Sequence, residues 1–90
     1  MKRIYAEVSG RVQGVGFRYF CKSLAETLGI SGWVRNLPGG NVELEAQAET
    51  KDLEEFLRAV RQGAPGSLVK DVAERDIPPE KEEGEFDIRF

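Results

Sequence analysis

Apolar and polar residues alternate at the start of the chain. Ile4, Ala6 and Val8 are apolar and their neighbours are polar or amphipathic, an alternation typical of a half-buried strand. From residue 17 the apolar residues recur every three or four positions, which predicts a helix with one apolar stripe. The stripe consists of Phe17, Phe20, Cys21, Leu24, Ala25 and Leu28. Gly29 follows it as the predicted C-terminal cap of the helix.

The rest of the chain predicts four longer segments and a short C-terminal strand. A strand at 30–36 ends at the turn sequence LPGG, and a second strand runs from Val42 to Ala48. In the strand at 42–48, which is the third of the chain, the polar residues share one face with the residue that follows the strand, and this predicts a solvated surface. These residues are Glu43, Glu45, Gln47 and Glu49. A helix capped by Thr50 buries a second apolar stripe and ends at Gly63 and Pro65. That stripe is Leu53, Phe56, Leu57 and Val60.

A strand at 68–77, a charged turn at 78–84 and a short strand at 85–90 complete the pattern. The order is therefore βαββαβ with an extra C-terminal strand. Two helices with one apolar stripe each can cover only one face of a sheet. The sequence thus predicts an α+β fold: a two-layer α/β sandwich of the ferredoxin-like type, with an antiparallel sheet, formed by residues 1–90 as a single domain.

Composition narrows the functional classes. The formal net charge of −3 disfavours nucleic acid and anionic membranes as partners, and no apolar run approaches the ~20 residues that span a bilayer. Cys21 is the only cysteine, so an internal disulfide is impossible, and no apolar signal segment follows Met1. We therefore expect a cytoplasmic protein, and a monomer. Because the chain has no histidine, Ser-His and Cys-His pairs are excluded, and we expect neither a metal nor a cofactor.

The bend GRVQGVGFR, residues 10–18, lies between the first strand and the first helix. Gly14 and Gly16 permit positive φ angles, so that successive N–H groups can turn inward beside the helix N-terminus. Arg18 adds a planar guanidinium that suits phosphate oxygens. A right-handed βαβ unit makes the first two strands parallel, and in the ferredoxin-like order the third strand separates them, so Asn36 should lie ~10 Å from the bend.

This arrangement predicts a phosphate cradle with room for one water. Two other phosphate-binding motifs do not fit: a Walker loop would need GK[ST], and a dinucleotide fingerprint that began at Gly14 would need glycine where Tyr19 stands. An ordinary turn followed by a solvated arginine is the remaining alternative.

GRVQGVGFR, followed by GWVRN, resembles the acylphosphatase family, and the resemblance covers essentially all 90 residues. It implies an enzyme that hydrolyses the carboxyl-phosphate bond of acyl phosphates to a carboxylate and inorganic phosphate. It further implies that Arg18 grips the phosphoryl group and that Asn36 orients the attacking water. No metal is required, because Arg18 and the N–H groups of the bend can neutralise the charge. The implied phosphoryl-binding loop is Gln13, Gly14, Val15, Gly16, Phe17 and Arg18. The chain departs from the usual family pattern at LPGG after the asparagine and at Gln47-Ala48.

A non-catalytic ferredoxin-like module that binds an anion or a regulatory ligand is the alternative function. An RNA-binding module fits less well, because its third strand would carry aromatic residues where glutamates stand. Among the other notable residues, we expect Cys21 in the core, Trp33 as a half-exposed aromatic on the sheet and Arg35 as a surface arginine.

Overall fold

Five strands and two helices follow one another in the order that the sequence predicts. The structure is a computed structural model that describes residues 1–81 and 84–90. The elements are β1 (Lys2–Arg11), α1 (Phe17–Leu28), β2 (Ser31–Asn36), β3 (Val42–Ala48), α2 (Thr50–Gln62), β4 (Leu68–Ile77) and β5 (Phe86–Arg89). Glu82 and Glu83, which belong to the predicted charged turn, lie outside the described residues.

The strands form one sheet in the order β4-β1-β3-β2-β5. β1 and β2 each pair antiparallel with β3, so they run parallel to each other and their C-terminal ends meet at one edge of the sheet. β4 pairs antiparallel with β1, and β5 pairs parallel with β2. The predicted ferredoxin-like α+β fold is confirmed. The extra strand β5 makes the sheet mixed, because the chain crosses from one outer edge to the other before β5 begins.

Both helices cover the same face of the sheet and bury the predicted stripes. α1 buries Phe17, Cys21 and Ala25, and its remaining stripe residues are partly buried. The positive φ of 70° at Gly29 lets its N–H group reach back to the last turn of α1, as predicted. The predicted side-chain cap at Thr50 is wrong, because α2 already begins at this residue and its N-cap position makes no side-chain hydrogen bond. Among the described residues, neither helix is long and apolar enough to cross a bilayer.

The second face of the sheet differs from the prediction. Glu43 and Gln47, expected to be solvated, are only 7% and 3% exposed. Glu49 is exposed as expected. Trp33 is buried rather than half-exposed, at 9%. The reason is that long polar side chains from neighbouring strands lie flat across this face and shield one another. Alternation of polar and apolar residues identifies the two faces of a strand, but it does not reveal whether polar neighbours cover each other.

At one end of this face, buried polar groups pair with a segment that follows β4. Arg3 donates from Nε to a carboxylate oxygen of Glu45 at 2.9 Å and from Nη1 to Oε1 of Gln47 at 3.3 Å. Gln47 in turn accepts a hydrogen bond from the N–H group of Glu80 at 2.8 Å and donates to its carbonyl oxygen at 2.9 Å. Residue 80 is thereby fixed to β3, and the polar groups of Arg3 and Gln47 are satisfied despite their burial.

Towards the other end, Glu43 collects two charge-assisted hydrogen bonds. Tyr5 donates its hydroxyl to Oε1 at 2.7 Å, and Arg35 donates from Nε to Oε2 at 2.6 Å. The guanidinium of Arg35 also lies 5.3 Å from the centre of the Trp33 ring. Burial alone would raise the pKa of Glu43, but the hydrogen bonds from Tyr5 and Arg35 and the charge of Arg35 lower it overall. Burial and the adjacent Glu43 raise the pKa of Tyr5 to about 12.

The hydrogen bonds that Glu43 accepts from Tyr5 and Arg35 give a prediction of how stability depends on pH. Glu43→Gln should lower the free energy of unfolding by about 1–3 kcal/mol at pH 7, because a buried charge-assisted acceptor is lost. Since the folded state lowers the pKa of Glu43, its contribution is complete above the ordinary carboxyl pKa and is lost as the pH falls through the lowered value. The difference between variant and wild type in urea unfolding should therefore shrink in acid.

Glu55→Gln is the matched control, because Glu55 is an exposed glutamate on α2. It should change stability by less than about 0.5 kcal/mol. A difference between Glu43→Gln and wild type that stays constant down to strongly acidic pH would contradict the lowered pKa.

Candidate active site

The glycine-rich bend connects the C-terminal end of β1 directly to α1. Gly14 and Gly16 have φ angles of 75° and 76°, which confirms the left-handed backbone predicted at both positions. The first hydrogen bond of the helix joins the N–H group of Phe20 to the carbonyl oxygen of Gly16 at 3.0 Å. The N–H groups of the residues just before Phe20 therefore have no partner within the helix, and they carry the positive end of its dipole.

A cavity of about 120 Å³ lies between this bend and the end of β2. Its walls include Gly14, Gly16, Arg18, and Asn36, the last residue of β2. The full lining is Val12, Gly14, Gly16, Phe17, Arg18, Tyr19 and Asn36. Residues distant in sequence thus meet at the sheet edge where β1 and β2 both end, as the predicted topology requires. The volume suits a tetrahedral anion with a water molecule beside it.

Arg18 is held at this edge by the C-terminal residues. Its Nη1 donates to the carbonyl oxygen of Arg89 at 3.2 Å, and its guanidinium lies 4.7 Å from the centre of the Phe90 ring. The Arg89 guanidinium in turn lies 4.6 Å from the centre of the Trp33 ring, on the opposite face of the sheet. Stacking on an aromatic ring restricts a guanidinium while leaving its remaining N–H groups free to bind an anion.

Asn36 presents an unusual polar atom. Its Oδ1 is buried, and no described residue donates a hydrogen bond to it. A buried amide oxygen without a protein donor is costly, so such an atom is expected to have a partner outside the chain. Because Asn36 lines the cavity, a water or ligand bound there would be within reach of this side chain.

Two residues of the predicted binding loop have side chains directed elsewhere. Gln13 donates from Nε2 to the carbonyl oxygens of Leu37 and Asn41, each at 2.8 Å. Val15 packs against the apolar core. Neither side chain lines the cavity, so any contact of these residues with an anion would be made by the backbone.

Sequence reasoning missed four residues of the site. Val12 and Tyr19 line the cavity, and both could have been found because they flank the predicted loop. Arg89 and Phe90 contact Arg18, but no local pattern indicates this. Their position depends on the pairing of β5 with β2, which a sequence motif does not encode.

The only thiol plays no part in the site. Cys21 is fully buried, and burial raises its pKa to about 12, so it is a core residue as predicted. Over residues 1–81 and 84–90, no group of three or more histidine, cysteine or carboxylate side chains is placed to hold a metal ion.

The fold and site together define a small α+β domain with a cavity at one sheet edge, beside the N-terminus of a helix. The sequence model of one family, "Acylphosphatase", matches residues 4–88. An acylphosphatase of Clostridium acetobutylicum is 46% identical over 90 residues, which cover 100% of this chain and 99% of that protein. An acylphosphatase of Methanospirillum hungatei is 55% identical over 67 residues, covering 71% of this chain and 74% of that protein.

Comparison with solved structures points to the same family. The crystal structure of acylphosphatase from Bacillus subtilis superposes with a TM-score of 0.95 at 37% sequence identity, and the match covers 100% of each chain. The chain therefore belongs to the acylphosphatase family. This confirms the family and the enzyme class predicted from the sequence, and it disfavours the non-catalytic module.

The backbone of the bend yields a stability prediction. No described residue has an atom within 4 Å of an ideal Cβ at Gly16, so a side chain there would meet conformational strain but no steric clash. Gly16→Ala should therefore destabilise the protein by about 1–2 kcal/mol, the cost of left-handed backbone for an ordinary residue. Gly16→Asn should cost less, because asparagine adopts this conformation more readily.

Thermal unfolding of the two variants measures this difference. Gly84→Ala is the control, since the φ angle of Gly84 is not in the left-handed region. Equal losses for Gly16→Ala and Gly16→Asn would show that φ is not the constraint at this position.

Proposed function

We propose that this chain hydrolyses the carboxyl-phosphate bond of acyl phosphates, with Arg18 and Asn36 as its catalytic residues. The observation that carries the proposal is that Asn36, with its unpartnered buried oxygen, shares one cavity with Arg18 and the glycine bend. Arg18 lies in the first turn of α1 and Asn36 ends β2, yet both face the space that would hold the reacting phosphorus.

The phosphoryl group binds to the bend. Backbone N–H groups of residues 14–18 point to its oxygens from the start of α1, and the guanidinium of Arg18 neutralises part of its charge. Contacts with Arg89 and Phe90 orient this guanidinium before substrate arrives, so little side-chain entropy is lost on binding. Gln13 and Val15 belong to this loop but contribute through their backbone only.

Asn36 orients the attacking water. The water oxygen forms a bond to phosphorus while the bond from phosphorus to the acyl oxygen breaks, and the carboxylate leaves with the electron pair of that bond. A phosphoryl oxygen accepts the proton that the water releases. Because a carboxylate is a good leaving group and the transition state is loose, positioning and charge stabilisation supply most of the catalysis.

The remaining features of the proposal follow from the same chemistry. Arg18 and the N–H groups of the bend supply the positive charge, so the reaction proceeds without a metal or other cofactor. The partners are small acyl phosphates and the inorganic phosphate product, with neither nucleic acid nor membrane involved. We further propose that residues 1–90 form one domain that acts as a monomer in the cytoplasm, where a single free thiol is kept reduced.

Substitutions should distinguish the roles of the two catalytic residues. Arg18 contacts the phosphoryl group before and during reaction, so Arg18→Ala should weaken inhibition by inorganic phosphate about 10- to 100-fold and reduce turnover as well. Arg18→Lys should not restore either, because an ammonium lacks the planar fork and the stacking on Phe90. Arg11→Ala is the control for charge, since Arg11 is exposed at the same sheet edge and does not line the cavity.

Asn36→Ala should leave binding intact and impair the chemical step. Its kcat for benzoyl phosphate should fall about 10²–10³-fold, by analogy with the loss of one positioned amide, while the inhibition constant for phosphate stays near the wild-type value. Circular dichroism verifies the fold. If Asn36→Ala weakened phosphate inhibition as strongly as Arg18→Ala and kept a normal kcat, Asn36 would be a binding residue and the water-orienting role would be wrong.

Turnover should also be insensitive to chelation. Extensive dialysis against EDTA should leave kcat and KM unchanged, because protein groups supply the charge that a metal would otherwise provide. Adding magnesium or zinc afterwards should have no activating effect. A loss with EDTA that either metal restores would overturn the metal-free mechanism while leaving the substrate class intact.

A further inference from the structure

The pairing of β1 with β3 ends at Val8 and Val42, so the hydrogen bonds that connect β1 to β2 through β3 do not reach the bend. The bend follows β1, and Asn36 ends β2, but β3 lies between these strands. No ladder hydrogen bond therefore joins β1 to β2 directly. Small changes in sheet twist or in loop position would move Arg18 relative to Asn36, and an attacking water must be placed to within a fraction of an ångström.

Gln13 bridges this gap. Its side-chain amide donates both hydrogens, one to the carbonyl oxygen of Leu37 and one to that of Asn41, at 2.8 Å each. Since both neighbours are carbonyl oxygens, only the NH₂ end of the amide can face them. Among the described residues, these are the only side-chain hydrogen bonds that link residues 13–18 to residues 36–41.

The acceptors lie where they can control Asn36. Leu37 directly follows Asn36, and Asn41 directly precedes Val42, the residue paired with Asn36 in the sheet. The N–H group of Leu37 donates to the carbonyl oxygen of Asn41 at 2.8 Å, which closes the turn. The side chain of Asn41 donates to Glu7 on β1 at 2.7 Å and so fixes the far side of the turn.

We infer that Gln13 is a positioning residue that couples the phosphate-binding bend to Asn36 and thereby places the attacking water over the bound phosphoryl group. The inference rests on the proposed function. It differs from the role expected from sequence, in which Gln13 binds the phosphoryl group: here its side chain acts through Asn36 and contacts no substrate.

A double-mutant cycle tests the coupling. Gln13→Met keeps the side-chain length and removes both donors, so kcat for benzoyl phosphate should fall about 10-fold, while the inhibition constant for phosphate changes less than about twofold. In the Asn36→Ala background the same substitution should change kcat by less than about twofold, because the residue it positions is already absent.

Gln47→Met is the matched control. Gln47 is a buried glutamine that also makes hydrogen bonds to a distant chain segment, at the end of β3 away from the cavity. Gln47→Met should lower thermal stability and should leave kcat unchanged, both in the wild type and in the Asn36→Ala background. A loss of kcat equal to that of Gln13→Met would show that general loosening of the fold, and not the link to Asn36, causes the effect.

A measurement on the wild-type protein covers the case in which Gln13→Met does not fold. In ¹⁵N-labelled protein the side-chain NH₂ signals of Gln13 should exchange slowly and should shift little when inorganic phosphate is added, whereas those of the Arg18 guanidinium should shift strongly. A large phosphate-induced shift at Gln13 would make it a ligand and overturn the inference.

The outcomes also separate this inference from the proposed function. If Asn36→Ala alone leaves kcat unchanged, the proposed catalytic role fails. Suppose instead that Asn36→Ala lowers kcat, and that Gln13→Met lowers kcat by the same factor in the Asn36→Ala background as in the wild type. Asn36 then keeps its role, and the positioning role of Gln13 is wrong.

Discussion

The insertion of β3 between β1 and β2 is the constraint on which the site depends. It makes β1 and β2 parallel and brings their C-terminal ends to one edge, separated by the width of a single strand. A bend that leaves β1 and a side chain that ends β2 therefore face each other across a gap about one strand wide. If the two strands were adjacent, ladder hydrogen bonds and side chains would fill this space. Strand order therefore creates the space for the cavity, whichever side chains line it.

Positive charge reaches this cavity from two sources. The helix N-terminus supplies backbone N–H groups, and Arg18 supplies a full charge whose position is restricted by the carbonyl oxygen of Arg89 and the ring of Phe90. The C-terminal segment is anchored in turn, since the guanidinium of Arg89, the last residue of β5, lies over the ring of Trp33. The polar network on the second face of the sheet, opposite the helices, is thus connected to the site through β5. None of the side chains of the network lines the cavity.

Burial of that network is the largest departure from the sequence-based expectation. Glutamates and a glutamine at alternate positions of β3 are typical of a solvated face, and the sequence contains no sign that Arg3, Tyr5 and Arg35 lie across them. Cross-strand register decides this, because it places hydrogen-bond donors beside carboxylates. Arg3 and Tyr5 each lie more than thirty residues from the glutamate to which they donate. Polar alternation predicted which residues share a face and failed to predict their exposure.

The sequence by itself determined the elements, their order, the two apolar stripes and the left-handed glycines of the bend, because periodicity, glycine conformational freedom and helix capping act over a few residues. From those elements and the handedness of the βαβ unit, the meeting of Arg18 with Asn36 could also be deduced. Only the tertiary structure decided that the side chain of Gln13 bonds to the turn after Asn36, away from the cavity, and that Arg89 and Phe90 contact Arg18. Those contacts join segments far apart in the chain, and they depend on strand register and loop placement, which long-range packing sets and no local pattern encodes.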